Sequence, residues 1–123
     1  MVSKIVPPIF VVTSGEVLVF RDVRVAETYM EPIDIANGEY NSAYDGVGRR
    51  LRPTVTHKAR SFFSPLPSDV SSLNVDEDTI KPLELATILR KFLASVGHDR
   101  ATLDGDLLED LVTKTVAAAG FTE

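Results

Sequence analysis

Residues 9–20 read IFVVTSGEVLVF, two runs of β-branched and aromatic residues on either side of Ser14-Gly15. Side chains of this kind fit a pleated sheet, and a serine–glycine pair has the length and chemistry of a tight hairpin turn. The stretch therefore predicts antiparallel strands over Ile9–Thr13 and Glu16–Phe20. Neither run alternates with polar residues. That places the hairpin in the middle of a sheet, or in a sheet covered on both faces.

Outward from the hairpin, Asp22 offers an N-cap, and Val23, Ala26, Tyr29 and Met30 follow at helical spacing. Pro32 cannot continue that helix and pushes Glu31 out of the α region, so the helix is short. Ile33-Asp34-Ile35 alternates and Asn37-Gly38 is a turn signal. A strand is expected over Glu39–Tyr44, with Tyr40 and Tyr44 on one face by the period of two. Gly46-Val47-Gly48 turns the chain into a strand over Arg50–Thr56, where Pro53 predicts an edge position or a bulge. Lys58–Phe63 is a candidate fifth strand.

Residues 64–78 hold Pro65, Pro67, four serines and the acids Asp76, Glu77 and Asp78, a composition that reads as a flexible internal linker. Thr79 then offers a cap and Pro82 suits a first turn. Leu85, Ile88, Leu89, Phe92, Leu93 and Val96 recur at the spacing of one helix face, and Gly97 stops the helix. A last helix is expected from a cap at Asp104, carrying Leu107, Leu108, Leu111, Val112 and Val116, and ending at Gly120 with Phe121 packed back on it.

Strands early and long helices late give an α+β fold: an antiparallel sheet of four to five strands with a short helix and two C-terminal helices packed on one face. The 123 residues make a single domain, large enough to bury one core. Hydrophobic content of 44% and charged content of 25% are globular values.

Several function classes are disfavoured. With no cysteine there is no thiol nucleophile, disulfide framework or thiolate zinc site. His57 and His98 lack partners at metal-binding or catalytic spacing. The acid-rich run Asp99–Asp110 fails as a calcium loop, because Ala101 and Leu103 occupy ligand positions. Gly46-Val47-Gly48 lacks the rest of a phosphate-binding loop. No catalytic, cofactor-binding or metal site is expected. The formal charge of −5 and the acids opening the last helix argue against nucleic acid. Neither a signal peptide nor a membrane-length apolar run is seen, so a cytoplasmic protein is expected.

Binding to a protein is left as the leading reading. Between Glu16 and Asp45 seven acids face only Arg21 and Arg24. Within that stretch Asp34 and Glu39 are expected to meet across the Asn37-Gly38 turn, with Asp45 joining them. Glu39, Tyr40, Tyr44, Asp45 and Arg49 combine large aromatic area with both signs of charge. Tyrosine and arginine are favoured in binding hot spots. The candidate partner-binding residues are therefore Asp34, Glu39, Tyr40, Tyr44, Asp45 and Arg49. Two other readings stay open: a self-associating structural or adaptor protein, and a small-molecule binder using the carboxylates.

The stretch DVRVAETYMEPIDIANGEYNSAYDGVGRRL (Asp22–Leu51), together with LELATILRKFLASVG (Leu83–Gly97), resembles small, mostly bacterial α+β proteins interpreted as immunity proteins. The resemblance implies a non-enzymatic inhibitor of a toxin used in inter-bacterial competition. It rests on packing and turn motifs and assigns no functional residue. An acidic chain suits such a role where the toxin has a basic cleft to be covered.

Overall fold

A computed structural model describes residues 5–14, 16–58 and 68–122. The elements run β1 (Ile9–Thr13), β2 (Glu16–Phe20), α1 (Val23–Tyr29), α2 (Pro32–Ala36), β3 (Tyr40–Tyr44), β4 (Arg49–Lys58), β5 (Ser68–Ile80), α3 (Pro82–Ser95), α4 (Arg100–Asp104) and α5 (Leu108–Ala119). The five strands form one antiparallel sheet in the order β2-β1-β3-β4-β5. The fold is α+β.

The unbroken apolar runs of β1 and β2 follow from helices on both faces of the sheet. Phe10 and Val12 lie opposite Val19 and Val17, and this face packs on α3, α4 and α5 through Leu85, Leu89, Leu93, Leu103 and Leu111. Ile9 and Val11 lie opposite Phe20 and Leu18, and their face carries Ala26 of α1, Met30 and Ile35. The two long C-terminal helices share one face, as their amphipathic patterns imply, while the short helix α1 lies on the other. Composition alone does not distinguish these faces, because both sides of the hairpin are equally apolar.

Residues 68–78, read as linker from their serines and acids, belong to the 13-residue strand β5. The polar residues alternate. Ser71, Leu73 and Val75 lie opposite Val55, Pro53 and Leu51, while Ser72 and Asn74 lie opposite Thr54 and Arg52 on the other face. Leu73 is buried and Asn74 exposed. A strand with one solvated face needs few apolar residues. The rest of that expected linker, and most of the candidate strand Lys58–Phe63, lie outside the described residues.

Pro53 sits where a strand tolerates it. The Leu73 N–H opposite points away from β4 and donates to Glu27 Oε2 at 2.7 Å. The Pro53–Leu73 pair is therefore a non-hydrogen-bonded one, and the missing N–H of Pro53 faces the flank where β3 pairing has already ended at Ala43–Leu51. Glu27 and Ser71, whose hydroxyl donates to the Met30 carbonyl, also tie α1 to the outer edge of β5, so part of that edge is covered.

Helix boundaries follow cap chemistry. Asp22 caps α1 through Val25 N–H at 2.9 Å. Gly97, at φ +101°, ends α3 in a Schellman motif: His98 N–H bonds the Leu93 carbonyl and Gly97 N–H that of Ala94. Lys81 takes the N-cap position of α3, leaving Thr79 in β5. The expected cap at Asp104 moves to Asp99, which accepts from Thr102 N–H and starts α4, with Asp104 as that helix's last residue. Phe121 packs under the Arg21 guanidinium, 5.3 Å from its ring centre, and Thr122 N–H pairs with the Val19 carbonyl at the β2 edge. No described helix is long and apolar enough to cross a membrane.

Candidate functional site

One inserted residue divides the six candidate residues into two groups. Val12 pairs with Ser42 but Thr13 pairs with Tyr40, so Asn41 is an extra residue in β3, a β-bulge. A one-residue slip reverses which face the following side chains take. Tyr44 consequently joins the core under α3, whereas Tyr40 packs on the opposite face with Val11, Phe20 and Ala43. The expected pair of tyrosines on one face is overturned by this bulge.

Tyr44, Asp45 and Arg49 serve the fold. Tyr44 is 2% exposed, and its hydroxyl donates a short hydrogen bond to Glu84 Oε1 in the first turn of α3. Arg50 reaches the same Glu84 oxygen at 3.4 Å and Asp76 at 3.7 Å, so strand, helix and β5 meet here. Asp45 is fully buried. Its Oδ1 accepts from the N–H groups of Val47 and Arg49, and its Oδ2 from the N–H of Val6, with the Arg49 guanidinium at 3.6 Å. This carboxylate organises the β3–β4 turn and clamps the segment before β1 across it. Its burial removes it from any acidic surface shared with Asp34 and Glu39.

Burial first, and the Glu84 carboxylate next, push the Tyr44 phenol up to about 12 from 10.0. A raised folded-state pKa contributes stability below the unfolded value and loses it as pH rises through the folded one. Unfolding measurements should therefore show a loss of stability between pH 10.0 and about 12 that is absent in Tyr44→Phe. At neutral pH that substitution should cost about 1–2 kcal/mol, because Glu84 loses a partner. An unchanged alkaline profile in Tyr44→Phe would contradict the assignment.

Asp34, Glu39 and Tyr40 come together at the other end of β3. α2 ends on Asn37-Gly38: Gly38, at φ +74°, donates to the Ile35 carbonyl, and Glu39 N–H donates to the Asp34 carbonyl at 3.0 Å. This Schellman closure, in place of a turn between strands, folds Glu39 back beside Asp34. Both acids line an open depression of about 420 Å³ with Tyr40, Tyr29, Leu18 and Glu16. Among the described residues, three carboxylates and two phenols face it, and no lysine or arginine does. Tyr29 is 43% exposed and its ring leans on Phe20, with centroids 5.2 Å apart. Burial, then the charge of Asp34, holds the Tyr40 phenol above its usual value, partly offset by a hydrogen bond from the Glu31 backbone.

Glu16 and Tyr29 were not legible as site residues. Tyr29 falls on the apolar spacing of α1, but it is the helix's last residue and leaves the core. Glu16 reaches the depression because β1–β2 pairing sets it opposite Thr13, which pairs in turn with Tyr40. Among the described residues, no three acidic or histidine side chains converge closely enough to hold a metal ion. Comparison with known proteins finds no matching family model, curated protein or solved structure.

Proposed function

We propose that this chain is a non-enzymatic protein-binding module that receives a basic side chain or loop of its partner in the depression formed by Glu16, Tyr29, Asp34, Glu39 and Tyr40. The observation that supports this reading most is the composition of that wall among the described residues: three carboxylates, two tyrosines and no cation. A lysine or arginine entering it would meet carboxylates for charge pairing and phenol faces for cation–π contact. Exposed Tyr29 supplies the kind of anchor that carries interface energy, and the surrounding negative charge accelerates encounter with a basic surface. An immunity-like inhibitor of a toxin with a basic cleft is the most concrete form of the proposal. It draws on the resemblance of Asp22–Leu51 and on the formal charge of −5.

Asp34 holds the α2 cap through its backbone carbonyl, so neutralising its carboxylate leaves that hydrogen bond in place. The double variant Asp34→Asn/Glu39→Gln should keep its melting temperature within about 2 °C of the parent, as surface substitutions do. It should also recover at least tenfold less of a basic partner when both tagged chains are used to capture proteins from lysates of the producing and competing cells. Tyr29→Ser should have a similar effect. Equal recovery of the same partner by parent and variants would refute the depression as the binding surface. Recovery of an acidic partner would do the same.

A further inference from the structure

The chain is acidic, yet one depression on its helical layer is cationic. Thr87, Arg90 and Lys91 lie on one side of α3 at the spacing that brings helix residues onto a shared face. Across from them Arg100, Leu103 and Asp104 of α4 complete a cavity of about 480 Å³. Arg90 is fixed in place: its Nε donates to the Leu103 carbonyl at 3.0 Å and its Nη2 to the Asp106 carbonyl at 3.1 Å. Lys91 and Arg100 are exposed, and neither has an ion-pair partner among the described residues. Thr87 hydrogen-bonds its own helix at the Leu83 carbonyl, which leaves its oxygen able to accept but commits its proton.

We propose that this depression is an anion site that takes the phosphate monoester end of a small molecule, separate from the protein-binding surface. Three cations and one carboxylate give its wall a net charge of +2, the complement of a phosphate monoester at neutral pH, which carries about −1.5 to −2. Among the described residues that line the cavity, three like charges face it with only Asp104 to offset them. Arg90, already oriented by two carbonyls, is the preorganised element, and Lys91 and Arg100 are free to close on the phosphate oxygens. The cavity is larger than a phosphate ion, leaving room for part of the molecule that carries it.

The test is a titration of the isotope-labelled full chain, followed by amide resonances, with inorganic phosphate and with glycerol phosphate at constant ionic strength in chloride. Saturable shifts confined to residues around Arg90, Lys91, Arg100 and Asp104 are expected, with glycerol phosphate binding more tightly. Lys91→Ala and Arg100→Ala should each weaken binding about five- to tenfold, the worth of one exposed charge-assisted contact. Asp104→Asn should strengthen it about threefold by removing the one opposing charge. These positions are exposed, so the variants should remain folded. Non-saturable shifts, or binding indifferent to all three substitutions, would overturn the site. Tighter binding of a phosphoserine peptide than of glycerol phosphate would overturn the assignment to a small molecule.

Discussion

Gly48→Ala should lower the stability of the chain by about 4 kcal/mol, enough to unfold much of a marginal domain at moderate temperature. Gly48 closes the β3–β4 turn at φ +89°, where an alanine is strained by about 1 kcal/mol. Space is the larger problem. A Cβ at this position would lie 2.7 Å from Pro82 Cα and 2.8 Å from Pro82 N. These are backbone atoms at the start of α3, which no side-chain rotation can move. The Gly48 carbonyl also accepts the Lys81 N–H at 2.8 Å, so a displaced turn loses the bond that seats the helix. Gly38→Ala provides the control. Its φ is +74° but nothing lies within 4 Å of the added carbon, so only the strain of about 1 kcal/mol is expected. Urea unfolding of the two variants separates the terms. Equal losses would show that α3 does not pack on Gly48 as described.

Asp45→Ala should cost about 3–5 kcal/mol, the scale for a buried charged partner whose loss strands several donors. The substitution leaves the N–H groups of Val6, Val47 and Arg49 without their acceptor and the Arg49 guanidinium without its nearby carboxylate. Asp45→Asn separates the two ends of the clamp. The amide can keep its oxygen toward Val47 and Arg49, but its NH₂ then faces the Val6 N–H, donor against donor. The loss should be smaller, and it should be concentrated where Gly46 N–H bonds the Val6 carbonyl. Hydrogen exchange at Gly46 should accelerate in Asp45→Asn while exchange in α5 stays near the parent rate. A loss below about 1 kcal/mol in Asp45→Ala would contradict the role assigned to this carboxylate.

The hairpin at Ile9–Phe20, the cap at Asp22, the amphipathic face of α3 and its stop at Gly97 were legible because each is a local pattern with a local cause. β5 was not, since its composition is rich in serines and acids and only pairing with β4 makes them a strand. The site was half legible. Asp34, Glu39 and Tyr40 do share a surface, though through the end of a helix instead of a hairpin turn. Tyr44, Asp45 and Arg49 do not join them. Asn41 carries no sequence sign that it will bulge, and that one residue sends the two tyrosines to opposite faces. Glu16 and Tyr29 enter the depression through strand pairing and a helix end, both of which are fixed by the assembled sheet.

The proposed protein-binding surface is tested most directly by zero-length carbodiimide cross-linking, which joins a carboxylate only to an amine in contact with it. The tagged chain would be coupled in lysate and its partner adducts mapped to individual residues by mass spectrometry. Adducts to a basic partner at Asp34, Glu39 and Glu16, suppressed at high salt and absent in Asp34→Asn/Glu39→Gln, are the predicted result. Adducts that fall instead on Asp99, Glu109 and Asp110 of the C-terminal helical layer would contradict it.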